Sequence, residues 1–297
     1  MAAARSRPGE TIEPWTVGRV LAWATADFRS RAIETARLDA ELLLGLALGL
    51  DRIRLILEHQ RPLTPDELSR YRDLIKRRRG GEPIAYIRGE REFYGLPIHV
   101  DTRVLIPRPD TETLVEVALE RTRARSMFGN ALDLCTGSGC VAIAFSHARR
   151  SWRMTGVDAS TGALEVARDN AVRLGVVPGV RFLEGDLFAP LGPDERFDLV
   201  TANPPYIPDA ELAELDTGIR EFEPRLALAG GGDGLDVIRR IVEEAPGHLS
   251  PGGVLALEVG HDQADRVHEL LERAGLSQIE RRRDYGGHER VVSAAAS

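Results

Sequence analysis

Apolar residues recur at close to helical spacing through the first eighty positions: Leu21, Trp23, Ala24 and Phe28, then Leu38, Leu42, Leu43 and Leu46, then Ile53, Leu55 and Ile56. This periodicity predicts a small helical bundle. Thr64-Pro65-Asp66-Glu67 has the form of a capping box with proline at the first helical position. The helix it opens is expected to run through Leu68, Tyr71 and Ile75 to Gly80-Gly81. From Pro83 to Pro109 the apolar pieces are short and broken by Gly and Pro, and the alternation of Leu96, Ile98 and Val100 predicts a hairpin. Asp110 is expected to open the next helix, with Leu114, Val115, Val117 and Ala118 on its apolar side.

From Ala131 the period changes to strand and helix in alternation, the pattern of an α/β fold with a parallel sheet covered by helices on both faces. Strands are expected at Ala131–Leu134, Trp152–Val157, Val180–Leu183, Phe197–Thr201 and Val254–Val259, with two more at Ile279–Arg283 and Arg290–Val292. Helices are expected at Val141–Arg149, Ala163–Leu174, Leu235–Leu249 and Gln263–Ala274. The alanine-rich tail after Val292 reads as disordered. These signals divide the chain into a helical part, 1–82, a hairpin linker, 83–109, and an α/β domain, 110–297.

Composition narrows the class. The chain has 297 residues, 43% of them hydrophobic and 29% charged, which suits two globular domains with sizeable cores. A net charge of −7 argues against coating nucleic acid by bulk electrostatics, so no stable nucleic-acid binding is expected. A basic run, Lys76 to Arg79 with Arg88 and Arg91, reads either as a helix C-terminus complementing its dipole or as a docking surface for an anionic partner. The first fifteen residues lack the apolar core of a secretory signal. The longest apolar run, Leu42 to Leu50, is too short to span a bilayer, so a cytoplasmic location is expected. Cys135 and Cys140 are expected to be reduced, and no His or Cys spacing suggests a metal.

The candidate chemistry lies at the strand ends. Asn203-Pro204-Pro205-Tyr206 follows an apolar strand, and two prolines in succession stiffen a loop while leaving its carbonyls free as acceptors. The Asn oxygen adds a second acceptor and the Tyr a flat face, a combination suited to a planar amino group. Upstream, Asp133-Leu134-Cys135-Thr136-Gly137-Ser138-Gly139 leads from a strand into a helix, and its glycines allow a ligand close to the backbone. Asp133 would repel a pyrophosphate at that helix start but attract an ammonium group, favouring an amino-acid-bearing nucleoside. Asp158 ends the next strand, where an acid can accept ribose hydroxyls. Asp186 follows the third strand, placed to take an exocyclic adenine amine while Leu187 and Phe188 cover the ring.

In this order the motifs resemble those of the Rossmann-like S-adenosylmethionine-dependent methyltransferases, and the NPPY form is similar to enzymes that methylate planar nitrogens. The resemblance is closest to the release factor glutamine methyltransferases, the PrmC/HemK family, and covers almost the whole chain. Gly81 to Glu112 is similar to that family's linker. Arg220-Glu221-Phe222-Glu223-Pro224 with Ala227-Leu228 resembles its segment after NPPY, and Arg283-Asp284-Tyr285-Gly286 with Glu289-Arg290-Val291 its C-terminal hairpin. The resemblance implies a seven-stranded, mostly parallel sheet with the last strand antiparallel, and a helical domain that recognises the release factor. It further implies a monomer that methylates the N5 amide of the glutamine in the GGQ motif of class 1 release factors, converting S-adenosylmethionine to S-adenosylhomocysteine. One position departs: the family usually has Gly where this chain has Cys135. The DLCTGSGC form is familiar from a sister family acting on a glutamine of a large-subunit ribosomal protein, whereas Ile106 to Glu112 and the C-terminal hairpin favour the release factor.

Read this way, Asp133, Cys135, Thr136, Gly137, Ser138, Gly139, Asp158, Asp186, Leu187 and Asn203 are the expected cofactor residues. Asn203, Pro204, Pro205 and Tyr206 are expected to hold the substrate. The Asn203 oxygen and the Pro204 carbonyl would each accept one N–H of the amide, with Tyr206 packed on its plane. The competing readings are a methyltransferase acting on adenine or guanine amines, which would need a broad basic groove, and a binder that keeps the nucleoside pocket without chemistry.

Overall fold

Residues 14–297 are described by a computed structural model, in which the expected absence of a leader in the first thirteen positions lies outside the described residues. Two compact units meet at Arg88 and Gly89, so the hairpin expected as a linker folds with the second unit. The first unit is helical: α1 (Val17–Ser30), α2 (Ala36–Leu48), α3 (Arg52–Leu57), α4 (Pro65–Arg79) and α5 (Ile84–Arg88). Side chains set three of the starts. Thr16 accepts from the Arg19 amide, Asp51 accepts from the Arg54 amide, and Thr64 with Glu67 completes the capping box.

The buried face of α2 is not the one its leucines suggest. Ala36, Ala40, Leu43, Leu44 and Ala47 face the core with Phe28, Leu55 and Tyr71, while Leu38, Leu46, Ile53 and Ile56 are exposed. A helix so rich in leucine has no unique apolar stripe, and the alanines decide its phase by allowing close approach. The basic run of α4 is tied into ion pairs: Arg78 with the buried Asp39 at 2.7 Å, Arg79 with Asp27, Arg77 with Glu82 and Lys76 with Asp73. Those pairs partner the run within the unit, while Lys76 and Arg77 stay exposed.

The second unit begins with the hairpin β1 (Glu90–Phe93) and β2 (Leu96–His99). It continues through α6 (Glu112–Arg121), β3 (Asn130–Leu134), α7 (Cys140–Ala148), β4 (Arg153–Asp158), α8 (Thr161–Arg173), β5 (Val180–Glu184) and β6 (Phe197–Ala202). After these come α9 (Thr217–Phe222), α10 (Asp236–Glu244), β7 (Leu249–Glu258), α11 (Ala264–Arg273), β8 (Ser277–Arg283) and β9 (Glu289–Ala295). The large sheet runs in the order β5-β4-β3-β6-β7-β9-β8, and β9 alone runs opposite to the other six strands. This is the Rossmann-like methyltransferase fold. The strand order reverses direction between β3 and β6, and in such sheets ligands bind beyond the carboxyl ends of the strands at that point.

Three local expectations are corrected. Asp110 lies within a short 3-10 turn, Pro109–Thr111, and the helix begins two residues later at Glu112. The helix expected to reach Leu249 stops at Glu244 and passes into a 3-10 turn, because Pro246 has no N–H to continue the ladder. The alanine tail is a strand. Val292, Ala294 and Ala295 are buried, and Ala294 and Ala295 pair with Leu255 and Val254 inside the sheet, where small side chains fit beneath the covering helices.

Asn170 on α8 is fully buried and connects distant parts of this unit. Its carboxamide oxygen accepts from the His99 amide at 2.8 Å, and its nitrogen donates to the carbonyls of His99 and Ser138, both at 3.0 Å. Asn170→Ala leaves these backbone groups without partners and is expected to destabilise the unit by roughly 3 kcal/mol, read from the urea midpoint of the full-length protein.

Candidate active site

The turn after β3 takes its shape from residues that few side chains favour. Cys135, Gly137 and Gly139 all have positive φ, at 54°, 55° and 78°. For Gly139 a Cβ would meet Ile143 and Ala167 at 3.1 and 3.2 Å, so the glycine permits α7 and α8 to pack closely. At Gly137 a Cβ would stand in open space, with only the Cys135 carbonyl at 4.0 Å. Cys135 adopts the left-handed conformation without being glycine, which costs on the order of 1 kcal/mol. This is the physical reason the position suits Gly. Both cysteines are free thiols, and burial pushes both above the ordinary range, Cys140 to about 12.

Asp133 holds this turn in place from below. Its carboxyl is buried and accepts from Thr136 Oγ1 at 2.6 Å and from Thr201 Oγ1 at 2.8 Å. Burial raises its pKa to about 6 against the opposing pull of the two hydroxyls and the Ala142 amide. Both oxygens are therefore engaged by the protein itself. Asp158, at the end of β4, accepts from the Gly137 amide at 2.8 Å and from the Ser160 amide at 2.9 Å. Burial raises its pKa while those amides lower it, and each oxygen keeps a lone pair for a further donor.

A cavity of about 270 Å³ opens over these residues. Its lining includes the turn from Cys135 to Ser138, Asp158 to Ser160 and Leu187, and Asn203, Pro205 and Arg108. Asp133, Cys140 and Asp186 also border it. Asp186 carries an exposed ion pair with Arg240, at 2.8 Å between Oδ2 and Nη2. Phe188 stacks on His248 with centroids 4.8 Å apart and does not line the cavity, so the ring expected beside Leu187 turns into the core.

The Asn-Pro-Pro-Tyr loop divides in two. Asn203 and Pro205 face the cavity, whereas Pro204 is buried and Tyr206 turns away to the core, its hydroxyl donating to Glu258 Oε1 at 3.3 Å. Burial and the Glu258 charge raise the Tyr206 pKa. Asn203 Nδ2 donates to Thr111 Oγ1 at 3.1 Å, which leaves Oδ1 as its free acceptor. Glu258 is almost wholly buried, and burial raises its pKa to about 7. Arg108, on the cavity lining, donates from Nη2 to the buried Glu223 Oε1 at 2.7 Å.

Thr111, Glu258 and Arg240 carry no signal of their own in the sequence. Glu258 is visible only as an acid closing the otherwise apolar run Val254 to Leu257. Among the described residues no group of three His, Cys, Asp or Glu is placed to hold a metal ion.

Two family profiles match the chain: one described as the PrmC N-terminal domain over residues 19–89, and one described as a methyltransferase domain over residues 131–223. The chain is 45% identical over 283 residues to a release factor glutamine methyltransferase of Geobacter sulfurreducens, covering 95% of this chain and 98% of that one. It is 44% identical over 291 residues to its counterpart from Bradyrhizobium diazoefficiens, covering 96% and 95%. Among solved structures, a methyltransferase from Pyrococcus furiosus superposes with a TM-score of 0.51 at 20% identity, over 68% of this chain and 90% of that one, a likeness of fold.

The buried Asp133 has a consequence for stability. The unfolded chain releases this proton near 3.8 while the folded chain holds it to about 6. Between those values the folded state binds more protons, so stability falls as pH rises through the window, by on the order of 3 kcal/mol. Asp133→Asn removes this contribution. The stability of the parent relative to the variant is expected to decline from about pH 4 to pH 6 in urea titrations.

Proposed function

The chain belongs to the release factor glutamine methyltransferase family, and from that premise we propose that it methylates the N5 amide of the glutamine in the GGQ motif of class 1 peptide chain release factors. We further propose that S-adenosylmethionine is the methyl donor and that the helical unit recognises the protein substrate. The observation that carries the reading is Asn203. It stands at the carboxyl end of β6, on the wall of the same cavity as the glycine turn, with its nitrogen spent on Thr111 and its oxygen left to accept.

The residues present fit the donor. The open space beside Gly137 leaves room at the turn for the amino-acid end, Asp158 keeps lone pairs for ribose hydroxyls, and Leu187 offers an apolar wall to the base. Asp133 acts through the turn by holding Thr136. When bound, S-adenosylmethionine supplies an electrophilic methyl group on a sulfonium centre and leaves as S-adenosylhomocysteine.

An amide nitrogen is a weak nucleophile because its lone pair is delocalised, so the protein's task is orientation and charge. Asn203 Oδ1 and the Pro204 carbonyl are the acceptors proposed for the two N–H bonds of the glutamine. Together they aim the nitrogen and stabilise the positive charge that grows on it, which is discharged when the nitrogen loses a proton after transfer. Positioning of this kind supplies on the order of 7 to 11 kcal/mol in favourable cases. Tyr206 contributes by fixing the loop through Glu258, and its carbonyl accepts from Gln263 Nε2 at 2.9 Å. Arg108 lines the cavity and is held there by its pair with the buried Glu223.

Two measurements test this. With labelled S-adenosylmethionine, label is expected in a release factor; label only in a ribosomal protein reassigns the substrate, and label only in nucleic acid overturns the reading. Asn203→Ala is expected to lower kcat by about 10²- to 10³-fold with the S-adenosylmethionine Kd within about twofold of the parent. Equal loss of both would make Asn203 a scaffold residue.

A further inference from the structure

Thr111 occupies the N-cap position of α6, where a threonine ordinarily accepts from a backbone amide of the first turn. Here it does not. Its backbone is in the helical region, at φ −66° and ψ −19°, and its side chain makes no capping bond. The hydroxyl is buried and instead accepts from Asn203 Nδ2 at 3.1 Å. Its other neighbour is the carboxyl of Glu258, whose Oε1 accepts from Tyr206 and whose Oε2 is buried with no further hydrogen-bond partner. A cap has been given up, and an acid has been buried, at one point behind the Asn203 side chain.

The two ends of a carboxamide have the same shape and opposite hydrogen-bonding character. Asn203 can hold a substrate amino group only with its oxygen towards the cavity, since the reverse rotamer sets one NH2 group against another. Thr111 alone does not decide the matter, because a hydroxyl both donates and accepts. An ionised carboxylate only accepts. Above about pH 7, where Glu258 is ionised, the Thr111 proton is drawn to that carboxylate, and the face left to Asn203 is a lone pair. We propose that Thr111 and Glu258 are positioning residues that fix the orientation of the Asn203 carboxamide, so that its oxygen is presented to the substrate amide.

This rests on Asn203 being the substrate clamp, and the test separates the two ideas. Thr111→Val keeps the branched shape without the hydroxyl, and Thr111→Ser restores the hydroxyl. Thr111→Val and Glu258→Gln are each expected to lower kcat by about 10- to 100-fold with the S-adenosylmethionine Kd unchanged, and Thr111→Ser to recover most of the loss. In the Asn203→Ala background, Thr111→Val is expected to have no further effect. In the protein without ligands, the Asn203 side-chain NH2 resonances are expected to move in Thr111→Val and return in Thr111→Ser. The proposal is overturned by a kcat loss under tenfold in Thr111→Val or Glu258→Gln, by Ser failing to rescue, or by additive losses with Asn203→Ala. If Asn203→Ala itself keeps full turnover, the clamp is wrong and this proposal falls with it. If Asn203→Ala is slow and Thr111→Val is not, only the proposal falls.

Discussion

One buried carboxylate holds the two halves of the site together. Asp133 accepts a hydroxyl from Thr136, in the glycine turn, and another from Thr201, two residues before Asn203. The turn follows β3 and the Asn-Pro-Pro-Tyr loop follows β6, adjacent parallel strands whose chains leave in different directions. Backbone pairing aligns the strands but stops at their ends. Asp133 and Thr201 face each other one pair before the end of that ladder, and the carboxyl carries the tie from β6 onward to the turn through Thr136. Its location at the reversal of strand order gives the cavity a floor that is polar and buried.

Around that floor, polar groups are arranged so that each fixes the next. Asp158 ties the turn to β4 through the Gly137 amide. Asn170 ties the same turn to the hairpin through Ser138 and His99. On the other side, Asn203 leans on Thr111, and Tyr206 reaches Glu258. Unpaired buried acids are costly, and a fold that keeps Asp133 and Glu258 with raised pKa values sacrifices stability to hold donors and acceptors in one orientation.

The alternation of elements from Ala131 onward was readable because most of the parallel strands are short apolar runs separated by amphipathic helices. The site motifs were readable because glycines, prolines and acids cluster at the strand ends. Where reading along the chain fell short, the cause was contact at long range. Thr111 and Glu258 lie far apart in sequence, and neither belongs to a pattern until the sheet brings them behind Asn203. Asp186 read as a ligand residue because its partner Arg240 is 54 positions away. Phe188 read as a cover for a bound ring because His248, on which it stacks, is equally remote. The alanine tail read as disordered because composition alone does not reveal the slot for a strand between β7 and β8.

That slot also constrains the order in which the protein can be completed. β8 precedes β9 in the chain, yet it joins the sheet only by pairing with β9, and β7 has no outer neighbour until β9 arrives. During synthesis, β8 emerges as an unpaired strand and waits. A chain cut between Arg283 and Glu289 consequently forfeits two strands, and it bares the edge of the strand that carries Glu258.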